Sequence, residues 1–447
     1  MLDVEKVFHL FESVPFADIR IYEAETSFIK IKNGEIEEVE SGASTGYGIR
    51  VLYDGSFGFA SSNDFSKLKE VFGKAVKLAK LSSKRSMNIK LSEEKTIVKE
   101  FKFKSVINLS DFSLEEKIPM VKEVNSLMKA EGLAAFSTVY HDSVFSKYYI
   151  NSEGAELSFS GDYVSVFCSA TAKQNDNRQS YSEVFAGLGG LEILNQAKEK
   201  AREVSATALS LLSAERVKPD KYTVVLGPKM TGTLCHEALG HACEADFIIS
   251  GESILKGKLG EEIGSDEVTI YDDPSGKFNG SYPFDDEGVV SQKTVLVEKG
   301  VLKNYLHSRE TAGKLETNST GNARAESVYE FPLVRMSNVF FERGNFKLEE
   351  LLEGRGVFID GVKAGQTSTS QGTFQFTTEK GFYFENGEFK KPLRDVTFSG
   401  EILSVLKKIV GVGKDFDVSP GTCGKGSQQV RVSDGGPSLR LEGIRLA

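Results

Sequence analysis

The stretch CHEALGHACEAD, residues 235–246, holds two of the chain's five histidines, two of its four cysteines and the carboxylates of Glu237, Glu244 and Asp246. Neutral imidazoles are common nitrogen donors to Zn²⁺, and they leave charge on the ion to polarise water and a carbonyl. A carboxylate beside one of them in sequence, but off the ligand face, is placed to take the proton of that water. His236, Glu237 and His241 supply these residue types, spaced H-E-x-x-x-H rather than the H-E-x-x-H of zinc-peptidase helices. Four residues along an α-helix bring two side chains within roughly 40° of each other, whereas five open the angle to roughly 140°. An unbroken helix therefore cannot aim both imidazoles at one ion. Gly240, just before His241, permits a π-bulge or an early helix end. The spacing thus predicts a distorted or terminating helix between Leu239 and Ala242. The competing reading is an ordinary amphipathic helix, with one core and one surface histidine pointing apart.

A third protein ligand has to come from Cys243, Glu244, Asp246, His307 or Cys423. Cys243 and Glu244 are close, but any local ligand competes with the geometry the imidazoles impose. Cys423 lies in PGTCGKG, a loop-like setting whose glycines let the backbone approach an ion. A thiolate there would give two histidines, one cysteine and an open position, which matches zinc's preferences. The default for each cysteine is nevertheless a small buried hydrophobe, and four cysteines without a CxxC make no disulfide framework.

The elements that must position these groups fall into two parts. In residues 1–217 a first helix is expected over 3–14, and period-2 runs turn at Asn33-Gly34 and Asp54-Gly55. Helices follow near 64–82 and after Ser113, where Ser113 and Glu116 fit a capping box and Pro119 is tolerable only near the first turn. Strands fill 133–172, and the longest helical pattern covers 191–215. Pro219, within RVKPDKY, marks the boundary, and residues 218–447 form the second part. There Thr231 or Thr233 is the expected cap of the motif helix, and turn-rich strands follow it. The fold class expected is α+β: helices on a curved antiparallel sheet, then a mostly antiparallel β domain carrying the metal-binding helix.

Composition excludes several functions. With 27% charged residues and a net charge of −9, the chain has no basic face clear of acids, so direct nucleic-acid binding is set aside. No run approaches the roughly 20 apolar residues of a membrane span. The acidic, amphipathic N-terminus lacks a signal peptide's pattern, and a cytoplasmic location is expected.

Together HEALGHACEADF, SYPFDDEGV (281–289), TGNARAES (320–327), residues 371–400 and GTCGKGSQ (421–428) resemble the TldD/PmbA family of metallopeptidases. NGEIEEVESGASTGYGIRV resembles its opening block, so the likeness covers nearly the whole chain. The resemblance implies one Zn²⁺ per active subunit held by His236, His241 and Cys423, with Glu237 as general base. It implies a homodimer, or a heterodimer with a PmbA/TldE-like subunit, and unfolded peptides as substrate. The gyrase-modulator label some members carry sits poorly with the acidic charge. Substrate contacts are expected from His307, Arg324, Thr369 and Ser370, with residues 361–376 as a candidate edge for β-augmentation. The rival reading is a non-catalytic binding or regulatory subunit with a structural metal.

Overall fold

The computed structural model describes residues 4–85 and 88–447. The period-2 runs of the first part pair into one seven-stranded sheet. Its order is Ser56–Ser62, Glu35–Tyr53, Phe16–Lys32, Leu133–Asn151, Glu156–Gln174 and Val98–Lys102, with Asn177–Leu188 also paired to Glu156–Gln174. Every pairing is antiparallel except that of Val98–Lys102. The expected hairpin turns form because Asn33-Gly34 and Asp54-Gly55 take left-handed φ angles. The helix Leu68–Ser82 seals one end of the sheet through Val71, Phe72, Ala75 and Ala79. Leu114–Leu127 and Glu192–Ser210 cover another part, burying Val121, Val124, Ala197, Ala201 and Val204 against Ile29, Val164 and Val166.

The first helix covers Val4–Phe11; its expected start at Asp3 lies outside the described residues. The capping box of Ser113 and Glu116 is present. Pro119, however, sits within the helix rather than in its first turn. It is tolerated on the exposed face, where the carbonyl it leaves without a donor can meet water.

The second part contains a six-stranded sheet and a closed barrel. The sheet runs Val301–Leu302, Thr294–Glu298, Ile270–Asp272, Asn338–Phe341, Gln428–Gly436 and Asp417–Lys425. The barrel closes through Arg355–Ser368, Asp220–Leu226, Leu439–Leu446, Thr397–Glu401 and Thr373–Glu385, which pairs back to Arg355–Ser368. Most pairs are antiparallel, and two are parallel: Asn338–Phe341 with Gln428–Gly436, and Arg355–Ser368 with Asp220–Leu226. The α+β class therefore stands. The motif segment threads the second part's core, where Leu234, Ala238, Leu239 and Ala242 pack with Met336, Phe376 and Cys423.

Charged side chains buried between the parts join them. Arg50, from the first sheet, reaches Asp18 of the neighbouring strand and Glu287 of the 281–289 block. Arg20 and Lys147 meet Asp286 of the same block at 3.6 and 2.9 Å.

Candidate metal centre

The helix carrying the motif begins at Pro228, which occupies the first helical position after Gly227. Neither Thr231 nor Thr233 is the cap expected from sequence. Asp360 on Arg355–Ser368 supplies it from outside, accepting from the backbone N–H groups of Lys229 and Met230 at 3.1 and 3.3 Å. After Thr233 the helix widens into a π-helix over Leu234–Gly240, in which the His241 N–H donates to the His236 carbonyl. That i→i+5 bond brings residues five apart onto one face. The helix then tightens to a 3₁₀ turn over His241–Cys243 and breaks at Glu244, whose ψ is 119°. The predicted distortion is present, and it begins earlier than Leu239.

Gly240 has a role the sequence did not reveal. Its φ and ψ are −54° and −53°, ordinary right-handed values open to any residue. What requires glycine is space, because a Cβ there would lie 2.0 Å from Met336 Sδ.

The π turn directs both imidazoles to one place, with ring centroids 5.0 Å apart and planes at 88°. Cys423 arrives from the other side. PGTCGKG is an edge strand, Asp417–Lys425, rather than an exposed turn; Cys423 pairs with Val430 and is 3% exposed. Its Sγ lies 3.4 Å from His241 Nε2. One donor atom each from His236, His241 and Cys423 falls within a 4.8 Å cluster. Of the five candidate third ligands, the structure brings Cys423 into that cluster.

Electrostatics favour the thiolate, the ligating form of Cys423, and raise the two imidazoles, whose protons a bound metal ion would displace. Burial alone would raise the Cys423 thiol, but hydrogen bonds from His236 and His241 and their charges bring it down to about 5. Burial would lower both imidazoles; Cys423 raises His236, and Glu244 together with Cys423 raises His241 well above the ordinary histidine range. His241 Nδ1 lies 3.1 Å from Glu244 Oε2, which leaves Nε2 facing the sulfur. His236 Nδ1 is buried without a hydrogen-bond partner. A thiolate and two imidazoles, one of them with an orphaned buried nitrogen, converging in a largely buried site fit a zinc ion.

Glu237 is the residue of Leu234–Gly240 that keeps solvent access; the other six are buried. Cys235 and Cys243 are buried packing residues whose thiols burial pushes up. Glu244 and Asp246, candidate ligands by sequence, instead hold Lys425 Nζ at 3.0 and 2.7 Å. Lys425, Arg335 and Asp434 were not foreseen. Arg335 donates to the Cys423 carbonyl from a fully buried position. Burial pushes the Asp434 carboxyl up to about 7, His236 opposing and Glu237 adding, and its shielded Oδ1 has no hydrogen-bond partner. Lys425 had a readable signal, since it follows Cys423 by two residues on a strand and so shares its face. The other two had none.

The expected substrate contacts are dispersed. Arg324 spends its guanidinium on the carbonyls of Met336 and Arg431, at 2.5 and 2.6 Å. Through Met336 it borders Gly240 rather than the donor cluster. His307 is buried, bonds Thr311 Oγ1 at 3.3 Å, and lines a cavity of about 1010 Å³ beside Ile248 and Tyr305. Thr369 and Ser370 sit in the turn between Arg355–Ser368 and Thr373–Glu385, where the Thr369 carbonyl accepts from Ile254. A second cavity of about 890 Å³ lies between the two parts, lined by Glu183, Lys229, Thr233, Asp360, Glu379 and Asp434 among others.

Comparison with known proteins places this geometry in a group. Three family models match in order: PmbA/TldA metallopeptidase domain 1 over residues 17–79, the central domain over 107–212 and the C-terminal domain over 219–447. Metalloprotease MJ0996 of Methanocaldococcus jannaschii is 41% identical, over 98% of this chain and 99% of its own. A protein of Saccharolobus solfataricus named zinc metalloprotease TldD homolog is 31% identical, over 96% of each chain. A solved structure from Thermotoga maritima, named a candidate modulator of a DNA gyrase, superimposes with a TM-score of 0.83 at 27% identity, covering 99% of both chains.

Proposed function

Because the chain belongs to the PmbA/TldD metallopeptidase family, we propose that it is a zinc-dependent peptidase acting on unfolded or extended peptides, with Glu237 as general base. The convergence of His236, His241 and Cys423 across a π turn carries this reading. The relative named a zinc metalloprotease supports the choice of metal. Zinc held by these three residues would supply a Lewis acid that polarises the scissile carbonyl and acidifies water. Glu237, solvent-accessible beside a buried ligand, accepts the proton of the attacking water and passes it to the leaving amine. A purely structural site has no use for an accessible carboxylate in that place.

Substrate backbone adds to the edge of Arg355–Ser368. That strand pairs with Asp220–Leu226 only through Val357–Ile359, and beyond this, among the described residues, no strand pairs with Lys363–Ser368 on that side. Thr369 and Ser370 end this edge, and His307 is the remaining candidate contact. The cavity between the parts, reaching Thr233 one turn before Glu237, is the route we assign to the peptide. Residues 1–217 then act as the covering part, 218–447 as the catalytic part, and a homodimer or a heterodimer with a PmbA/TldE-like subunit completes the enclosure.

The test combines zinc content with degradation of an unfolded peptide. Glu237→Ala is expected to keep its zinc and lose about 10²–10⁴ in rate. Cys423→Ser is expected to lose zinc stoichiometry. Full activity in Glu237→Ala would remove the catalytic assignment, and full zinc in Cys423→Ser would remove the ligand set.

A further inference from the structure

Cys423 and Lys425 are two apart on one strand, so their side chains leave it on the same side. The thiol of Cys423 goes to the donor cluster, while the ammonium of Lys425 goes to the far side of His241. There Nζ lies 3.0 Å from Glu244 Oε2, 2.7 Å from Asp246 Oδ2 and 2.9 Å from the Val334 carbonyl. Those three acceptors use all three of its protons. The Phe247 ring lies beneath it, 4.1 Å to the centroid, and the side chain is only 8% exposed.

The oxygen that takes the Lys425 proton also receives His241. Glu244 Oε2 is 3.1 Å from His241 Nδ1 and 3.0 Å from Lys425 Nζ. Glu244 is pinned as well, since the flanking Cys243 carbonyl and Ala245 N–H bond the backbone of Leu306 at 2.9 and 3.0 Å. A closed circuit results: strand to Lys425, Lys425 to Glu244, Glu244 to His241, and His241 back to Cys423 on the same strand.

From this circuit we infer that Lys425 is a positioning residue for the metal. It fixes the spacing of the strand-borne thiolate and the helix-borne imidazole, and through Glu244 it keeps His241 in the tautomer whose Nε2 faces the ion. The inference rests on the metal reading above and adds to it a residue that touches neither metal nor substrate. A carboxylate hydrogen-bonded to a ligating histidine is worth roughly 10–100-fold in metal affinity, and Lys425 is what holds this carboxylate in place.

A merely structural lysine would neutralise buried charge and nothing more, and two variants separate these roles. Lys425→Met strips Glu244 and Asp246 of their cation and is expected to lower both the melting temperature of the metal-free protein and its zinc affinity. Adding Glu244→Gln removes the fully buried one of the two uncompensated carboxylates and leaves the part-exposed Asp246, so most of the melting loss should recover. Zinc affinity should stay about 10–100-fold below wild type, because the circuit is still open. Affinity is measured on the full chain by competition against a chromophoric chelator, with Co²⁺ spectra reporting the thiolate and the coordination geometry. Should Lys425→Met alone fail to fold, the double variant carries the comparison. Zinc affinity within twofold of wild type in a folded variant overturns the inference, as does recovery of affinity together with melting in the double variant. A wild-type protein that takes up neither zinc nor cobalt would instead overturn the metal reading beneath it.

Discussion

Gly240→Ala separates two explanations for a glycine at the point of distortion. If glycine served backbone freedom, alanine would be costly only where φ is positive, and at φ −54° it would be neutral or gain about 0.5–1 kcal/mol as a better helix former. If glycine serves space, the new Cβ meets Met336 Sδ at 2.0 Å, with Met336 Cγ and Cε at 3.3 Å. Relaxing the first contact to an ordinary separation of about 3.6 Å needs a shift of more than 1 Å in a fully buried side chain. Arg324 holds the backbone carbonyl of Met336, which limits how far that residue can retreat. Overpacking of this kind costs about 1–3 kcal/mol. Set against the helix gain, a net destabilisation of about 1–2 kcal/mol is expected. Because the π turn that Gly240 ends sets the imidazole angle, zinc affinity should fall as well. The assay is thermal melting of the metal-free protein together with chelator competition, on Gly240→Ala and on Gly240→Ala with Met336→Ala. The second variant should recover most of the zinc affinity despite its own cavity. An unchanged or raised melting temperature in Gly240→Ala would refute the space argument, and a double variant as impaired in zinc affinity as the single one would show that Met336 is not the obstacle.

Other contacts make equally direct predictions. Arg50→Met keeps the length of the side chain but leaves Asp18 and Glu287 buried without their cation, and should cost about 3–5 kcal/mol. An early melt and protease cuts between the two parts would mark it, while a wild-type melting curve would show that the buried pair does not join them. His307 supplies the pH dependence: burial lowers its imidazole from 6.5 to about 4. A lowered histidine contributes stability that is fully present above about pH 6.5 and is lost as pH falls through about 4. The difference of about 2.5 pH units, at about 1.36 kcal/mol each, is worth about 3 kcal/mol. His307→Gln should therefore flatten the stability difference measured between pH 7.5 and 4, and an undiminished slope would locate that titration elsewhere.

The features legible in the sequence are those whose causes lie within a few residues. Asn33-Gly34 and Asp54-Gly55 name their own turns because only such pairs enter left-handed φ easily. Ser113 caps its helix because Glu116 is three residues on. The H-E-x-x-x-H spacing demanded a widened helix for the same reason, since the angle between side chains follows from a count. The misjudged features share the opposite property. The cap of the motif helix is Asp360, 131 residues beyond Lys229, and no inspection of Thr231 or Thr233 could show that their place was taken. Gly240 suggested flexibility, whereas its requirement comes from Met336 on a distant segment. PGTCGKG looked like a loop because glycine is poor in strands, yet the strand is held by its hairpin partner and by Arg335. Glu244 shows where local reasoning stops: beside a histidine any buried carboxylate is a candidate ligand, and only the position of Lys425, 181 residues away, decides that its oxygen faces an ammonium. The ligands of this site could be narrowed to a short set from spacing and chemistry; what fixes their distances is tertiary, and a sequence without its fold contains no measure of it.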